Sequence, residues 1–529
     1  MLEQKEDEHN ENNKKDEENN EPNGKKVILN IVRPVKIFPY QMKHFNNVVE
    51  ILKRECAYLD VSPFGAGKTH IVFGLAATFG LDIVGVGPKT TIDNWRRWGK
   101  IYGVKIHNFV TYQSLRGVKG SKLNHDLMTK IEGPLIDTEY VPTELFNAYA
   151  QKGVLLVFDE VHNVKNDNSQ LASAHALVRA VVNAIRLGYK SRIALLSATP
   201  SDTKENVTSI LKMLGVITSK KLYNYNRSTK FYEPLGIQEA VNKCNTYDPD
   251  ETMHIFCRPL NKTTAKTMCH DLYTRILKKY ITSSMPHPPI TAEKDVKNFY
   301  VKMSKKNVER MKNGLLMFSS ATNYEPDTKE ISLAGVNWGD VTRSRREIDS
   351  SKVDSVCRLT TRDLTKDPHC KVIIYFNYIR DIKEAARQLS KYKPLVMFGE
   401  TKENERQVLI RNFQADSDQY RVIISNPKVG GIGIDLDDKV GTRPRIMYIL
   451  PSYFFTDQFQ ACGRSHRNGT KSKAVVRFIY SRDFPHETGI LNSMIMKSKI
   501  TKSMLIDTEN DITFPGEYEE LVETSDDDE

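Results

Sequence analysis

Ten short runs rich in β-branched and aliphatic residues recur along the chain, each closed by a turn and followed by a longer stretch with helical periodicity. A strand reaches a parallel neighbour only through a crossover, usually a helix, so this alternation predicts α/β architecture with parallel sheets. In the first half the predicted strands are Tyr58 to Val61, Ile83 to Val86, His107 to Val110, Val154 to Phe158 and Ile193 to Leu196. In the second half they are Val372 to Phe376, Leu395 to Phe398, Val422 to Ser425, Arg445 to Leu450 and Val475 to Tyr480. Runs as apolar as Val154-Leu155-Leu156-Val157-Phe158 fit strands covered on both faces. Two sheets of similar size are expected, and 529 residues at ~150 per domain leave room for both.

Between the halves the pattern changes. Residues 216–350 are rich in Tyr and Lys, carry Pro286, Pro288 and Pro289, and lack regular strand alternation. They predict a mostly helical, basic insertion or connector. Within it, Asn261 to Leu315 holds twelve Lys or Arg against four acids, interleaved with Tyr273, Tyr280, Phe299 and Tyr300. Such a mixture fits either a surface that tracks a nucleic-acid strand or a solvated Lys-rich helix face. The expected organisation is an acidic, Asn-rich head over 1–26, a first α/β domain over 27–215, the connector over 216–350, a second α/β domain over 351–490, an extension over 491–515 and an acidic tail over 516–529.

The net charge of +11 conceals a strong asymmetry: residues 1–26 carry −4 and residues 516–529 carry −8, which leaves +23 for the body. A body so basic suits a polyanion, because each phosphate it neutralises releases condensed counterions. The two tails are too polar to bury surface that would offset the entropy of ordering them, and disorder is expected there. No apolar run approaches the ~18 residues that a bilayer span needs. The N-terminus lacks the basic and apolar regions of a secretory signal, so a cytoplasmic location is expected and a membrane partner is not. Seven cysteines occur without a C-x-x-C pair, which suggests neither a disulfide framework nor a zinc ribbon.

Four local patterns carry chemistry. Ser62-Pro63-Phe64-Gly65-Ala66-Gly67-Lys68-Thr69 lies between a predicted strand and an apolar helix. Backbone N–H groups of such a loop, aimed along the helix N-terminus, form an anion nest for nucleotide phosphates; Lys68 would reach the β- and γ-phosphates and Thr69 a magnesium ion. The Val154 to Phe158 strand delivers Asp159-Glu160-Val161-His162 to its carboxyl end, where α/β sheets place ligands. Asp159 there suits the metal, and Glu160 suits orientation and deprotonation of water attacking the γ-phosphate. Ser197-Ala198-Thr199-Pro200 ends another strand and suits a relay from the phosphate site. In the second half Gln460-Ala461-Cys462-Gly463-Arg464-Ser465-His466-Arg467 follows the glycine turn Gly430-Gly431-Ile432-Gly433-Ile434-Asp435. Two arginines three apart on a helix would share one face and reach across a cleft to the transferred phosphate.

These elements, in this order over roughly Phe38 to Arg482, resemble the superfamily 2 helicases and translocases, and most closely the D-E-x-H RNA helicases and transcript-release ATPases of large cytoplasmic DNA viruses. Pro88-Lys89-Thr90 running on to Asn94-Trp95, and His162 followed by Asn163 to Asn166, look like the Swi/Snf branch. Ser197-Ala198-Thr199 departs from the Gly-Thr-Pro of that branch, which argues against a dedicated nucleosome remodeller.

The resemblance implies two tandem RecA-like domains of the P-loop NTPase type. It implies ATP and magnesium as cofactors, with Lys68, Glu160, Gln460, Arg464 and Arg467 as catalytic residues. Gln41, which looks like an adenine-reading glutamine, joins Gly65, Ala66, Gly67, Lys68, Thr69, Asp159, Gly433 and Asp435 around the nucleotide. Pro88, Lys89, Thr90, Thr111, Tyr112, His162, Ser197, Thr199, Asn377 and Gly431 are implied in nucleic-acid contact or coupling. The expected activity is ATP-driven unwinding of, or movement along, RNA or DNA with little sequence preference, in a transcription complex of viral type. The alternatives are a translocase on duplex DNA that does not separate strands, and a nucleic-acid-binding scaffold whose ATPase is vestigial.

Overall fold

The computed structural model describes residues 34–133, 136–322, 336–430, 434–481 and 485–506, together with short strands at Tyr324–Glu325, Glu330–Ile331 and Tyr518–Glu520. Two parallel sheets organise it. The first has six strands in the order Thr282–Ser283, Ala57–Asp60, Arg192–Leu196, Val154–Asp159, Asp82–Gly87 and Ile106–Thr111. The second has seven, in the order Leu395–Met397, Val422–Ser425, Lys371–Tyr375, Arg445–Ile449, Ala474–Ser481, Lys294–Val301 and Tyr518–Glu520. Each of the ten strands read from the sequence is present.

Both faces of the first sheet are covered. Val72, Phe73 and Trp95 pack on one side, and Leu177, Val181, Ile210 and Ile237 on the other. Residues Val154 to Phe158 are fully buried, and the chain surfaces only at Asp159. That is the pattern expected of a central parallel strand whose carboxyl end opens on a cleft.

The connector departs from expectation. It contributes helices at Gly236–Asn245, Pro249–Phe256 and Lys262–Asp271 that pack on the first lobe, but also strands in both sheets and a separate hairpin, Tyr223–Asn226 with Phe231–Pro234. Lys294–Val301 pairs along its whole length with Ala474–Ser481. Its charged residues hide the strand signal from apolar patterning, because near a sheet edge they are satisfied laterally: Arg477 pairs with Asp295 at 2.5 Å and covers the Phe299 ring at 4.8 Å. The aromatic residues of this region turn inward. Tyr273 is fully buried with its hydroxyl 2.9 Å from Thr282 Oγ1, and Tyr280 stacks on Tyr247 at 4.1 Å.

Two further differences concern the C-terminal part. Pro485–Met504 is one helix, so a boundary at 490 falls inside it. It leads back to the first lobe, where Thr501 donates to the Ser201 carbonyl at 2.8 Å. The acidic tail was expected to be disordered throughout, yet Tyr518–Glu520 pairs with Lys294–Val301. The head 1–26 and the rest of the tail lie outside the described residues.

Candidate nucleotide cleft between the two lobes

The phosphate loop is built by two left-handed glycines. Gly65 has φ of 75° and Gly67 has φ of 93°, and Gly67 caps the helix Lys68–Phe79. A Cβ at Gly67 would overlap the Gln41 amide, whose Nε2 donates to the Ala66 carbonyl at 2.7 Å. Tyr40 donates to the same carbonyl at 3.1 Å, while Gln41 Oε1 accepts from the Phe38 N–H at 3.1 Å. Gln41 therefore lies under the loop as a structural tie. Lys68 folds back and donates to the Ser62 and Pro63 carbonyls at 2.8 and 3.1 Å. Thr69 follows in the first turn of the helix and is half-buried.

The carboxylate pair stands at the end of the adjacent strand Val154–Asp159. Trp95 donates its indole N–H to Asp159 Oδ2 at 2.9 Å, and Tyr112 donates to the Asp159 carbonyl at 2.9 Å. Glu160 sits in the left-handed region with φ of 56° and ψ of 56°, a conformation that costs a non-glycine residue about 1–3 kcal/mol and persists where surroundings over-determine it. Burial and the neighbouring Glu160 carboxylate push the Asp159 carboxyl up to about 6. Burial opposes ionisation of Glu160 as well, but His162, Lys68 and Arg467 outweigh it and hold Glu160 below its ordinary value. Two adjoining buried carboxyl groups of which one is ionised with difficulty suit a divalent cation, which would relieve the repulsion. Among the described residues no three His, Cys, Asp or Glu form a metal cluster. Magnesium is ordinarily held by one or two carboxylates together with substrate phosphates, so Asp159 and Thr69 fit it.

Contacts from the second lobe close the cleft. His162 Nδ1 lies 3.1 Å from Ser197 Oγ and 3.3 Å from Glu160 Oε2, and its Nε2 lies 3.2 Å from the Gln460 amide nitrogen. One imidazole thus touches the carboxylate pair, the Ser197 turn and the second lobe. Phe64, in the phosphate loop, packs on Phe459 with ring centroids 5.7 Å apart, and Gly65 faces the Asn468 backbone nitrogen. Behind this layer Lys165 donates to Asp202 Oδ2 at 2.7 Å and to Thr456 Oγ1 at 3.3 Å across the lobes.

The arginines do not share a helix face as expected. The helix Phe455–Cys462 ends at Gly463, whose N–H already closes on Phe459 and Gln460, so Arg464 and Arg467 follow in a turn. Arg464 is buried and donates to the Ile434 carbonyl at 3.2 Å, which braces the glycine turn from within the second lobe. Arg467 pairs with Asp435, and its positive charge contributes to holding Glu160 below its ordinary value.

Tyr112, implied in nucleic-acid contact or coupling, is buried, and its hydroxyl ties to the carbonyl of Asp159 at the strand end. Thr111 caps the helix Tyr112–Arg116 through the Ser114 N–H at 2.9 Å. Pro88 caps the helix Lys89–Tyr102, and Lys89 and Thr90 stand in its first turn. Thr199 donates its N–H to Ser197 Oγ at 3.1 Å. Asn377 donates to Asp349 at 2.9 Å and to the Leu450 and Pro451 carbonyls at 3.3 Å, all within the second lobe. Gly431 and Gly433 lie outside the described residues. Sequence reasoning named Trp95 only within the run that follows Pro88-Lys89-Thr90 and missed its bond to Asp159, and it assigned no role to Phe64, Phe459, Asp202 or Thr456. The spacing of Trp95 beyond Pro88-Lys89-Thr90 was the one available signal.

Residues 351–469 match the family model described as the helicase conserved C-terminal domain. The matched span lies in the second lobe, which is similar to helicase C-terminal domains. A protein of Acanthamoeba polyphaga mimivirus, L364, named as a candidate ATP-dependent RNA helicase, is 24% identical over 488 residues, covering 89% of this chain and 84% of its own. The chromatin remodeling factor mit1 of Schizosaccharomyces pombe is 21% identical over 504 residues, covering 86% of this chain and 32% of its own. The SWI2/SNF2 ATPase core domain of Sulfolobus solfataricus is 15% identical, with 87% of this chain and 88% of that one covered and a TM-score of 0.28. Among the described residues no helix is long and apolar enough to cross a membrane.

Proposed function

We propose that the protein is an ATP- and magnesium-dependent motor that moves along or unwinds nucleic acid. The observation that carries this reading is the His162 bridge, which joins Glu160 and Ser197 of the first lobe to Gln460 of the second. A change at the phosphates can thereby alter the fit between lobes. The first lobe would be the ATP-binding domain and the second the helicase C-terminal domain, with the nucleotide between Gly65, Ala66, Gly67, Lys68 and Thr69 on one side and Arg467 and Asp435 on the other. Magnesium, held by Asp159 and Thr69, would supply charge neutralisation at the phosphates. Glu160, the more readily ionised of the pair, orients and deprotonates the attacking water, and His162 holds Glu160 in place. Arg467 stabilises charge on the transferred phosphoryl group, while Arg464 keeps the loop beneath it in shape.

Nucleic acid would cross both lobes through phosphate contacts, including Lys89 and Thr111, with little sequence preference. The name of the mimiviral relative supports RNA as the track, and a transcription complex in a virus-infected cytoplasm is the setting proposed with it. A second reading is translocation on duplex DNA without strand separation, for which the name of the fission yeast relative, a chromatin remodeling factor, supports DNA as the partner. ATP turnover with RNA, single-stranded DNA and duplex DNA, and displacement of a labelled strand, separate the two. Lys68→Ala and Glu160→Gln are expected to abolish turnover. Wild-type turnover indifferent to every nucleic acid would reject a motor, and no turnover would favour a scaffold.

A further inference from the structure

The hairpin Tyr223–Asn226 with Phe231–Pro234 belongs to neither large sheet and has no third strand, although two-stranded hairpins are marginal alone in water. Its register sets Tyr225 opposite Tyr232 and Tyr223 opposite Pro234. Because side chains alternate between faces, these four residues share one face, and Phe231 with Asn224, Asn226 and Glu233 takes the other. Tyr232 packs edge-on against Tyr223 at 5.1 Å and beside Tyr225 at 4.6 Å. Tyr223 rests on the core of the first lobe, whereas Tyr225 is 44% and Phe231 61% exposed. Asn226 Oδ1 accepts the Ser228 and Thr229 N–H groups at 3.0 and 3.2 Å, so the tip is a formed turn. Along the chain from 220 to 234 stand Lys220, Lys221, Arg227 and Lys230 with one acid, Glu233, and of these cations Lys220 is paired outside the hairpin with Glu139.

We propose that the tip of this hairpin is a stacking element for single-stranded nucleic acid that the strand wraps, with Tyr225 on one face and Phe231 on the other each receiving a base, and Arg227 and Lys230 in the turn between them receiving the adjoining phosphates. The proposal rests on the motor reading above. Rings interleaved with cations match a strand that presents flat bases and phosphates in alternation, whereas a duplex offers its phosphates but no free base faces. The net positive charge of the hairpin complements that polymer and continues the basic body of the chain. Its place in the fold also fits. Lys220 pairs at 2.5 Å with Glu139 on the neighbouring hairpin Met128–Gly133 with Ile136–Pro142. That hairpin in turn holds the turn after Thr111, since Tyr140 donates to the Arg116 carbonyl at 3.1 Å and Lys130 to the Val118 carbonyl at 2.6 Å. The platform thus stands on the flank that carries the Thr111 to Ser114 segment.

The test compares wild type with the full-length double variant Tyr225→Ala and Phe231→Ala, and with Tyr225→Phe, by fluorescence anisotropy on a labelled 20-nucleotide oligo(U), the matching DNA strand and a blunt duplex. The double variant is expected to bind both single strands about tenfold more weakly and the duplex within twofold of wild type; Tyr225→Phe, which keeps the ring, should bind like wild type. A difference between the RNA and DNA arms would assign the track. Unchanged single-strand binding by the double variant would overturn the platform, as would an equal loss on single strands and duplex. If the double variant binds nucleic acid normally but loses a protein partner, the hairpin is a protein-docking element and the proposal fails. If wild type binds none of the three probes, the motor reading fails first and the platform with it.

Discussion

Trp95 donates its indole N–H to Asp159 across 2.9 Å, joining the helix that follows Pro88 to the carboxylate at the centre of the cleft. Trp95 is 1% exposed and packs between Phe73 and Phe109, with ring centroids 5.4 and 5.2 Å away. The bond therefore has one geometry, and it aims Asp159 while favouring its ionised form.

Trp95→Phe removes this donor and keeps most of the ring. A hydrogen bond to a charged group is worth about 1.5–3 kcal/mol, so turnover should fall about 10- to 100-fold and the magnesium concentration for half-maximal rate should rise. The thermal midpoint checks the alternative: a collapse in stability equal to the loss in rate would make Trp95 a packing residue only.

Gly67→Ala places a Cβ against the Gln41 amide at a φ of 93°. The loop must distort to relieve both, and nucleotide binding measured with a fluorescent ATP analogue should be lost. Gly80→Ala, at a φ of 63° with nothing near the added carbon, is the matched control: it should lower stability by about 1–2 kcal/mol and leave binding intact.

His162→Ala and Gln460→Ala each break the bridge between lobes. ATP affinity should stay within a few-fold, while stimulation of turnover by nucleic acid falls strongly. Because the two side chains touch, the double variant should lose little more than either single one. Additive losses in a double-mutant cycle would show that they act separately.

Arg467→Ala should abolish hydrolysis with ATP affinity within a few-fold, as expected of a group that meets charge only in the transition state. Arg464→Ala should instead lower stability, because Arg464 is buried and braces the Ile434 carbonyl. Equal loss of affinity and rate in Arg467→Ala contradicts the assignment.

Asp381 gives a pH signature away from the cleft. It is 1% exposed; burial raises its carboxyl to about 6, against hydrogen bonding from Ser350. A carboxyl raised in the folded state stabilises most below its unfolded value near 4, and that contribution disappears as pH rises through 6. Asp381→Asn, which stays neutral, should match wild type at pH 4 and be more stable by roughly 2–3 kcal/mol at pH 8. Chemical denaturation at the two pH values checks the sign.

Much of this was legible in the chain. The ten strands were readable because a parallel strand covered on both faces must be apolar along its length, as Val154 to Phe158 is. The phosphate loop and Asp159-Glu160 were readable because their chemistry lies within a few consecutive residues, and local geometry follows local sequence. Lys294–Val301 was not, since its charged side chains find partners only after Ala474–Ser481 lies alongside. The inward turn of Tyr273 and the outward turn of Tyr225 were not readable either, for both sit in Tyr- and Lys-rich stretches of similar composition.

By itself, then, the amino-acid order determined the two α/β halves, the glycine loop that opens the first helix after the Ala57–Asp60 strand, and the paired acids that crown the central strand. Tertiary structure alone decided that Trp95 and Tyr112 secure Asp159, that His162 spans to Gln460, and that Arg467 pairs with Asp435 while Arg464 turns inward to the Ile434 carbonyl. The physical reason is range. Backbone preference and burial periodicity act over a few residues, whereas a hydrogen bond between positions 298 residues apart exists only once two separately folded sheets have been brought together.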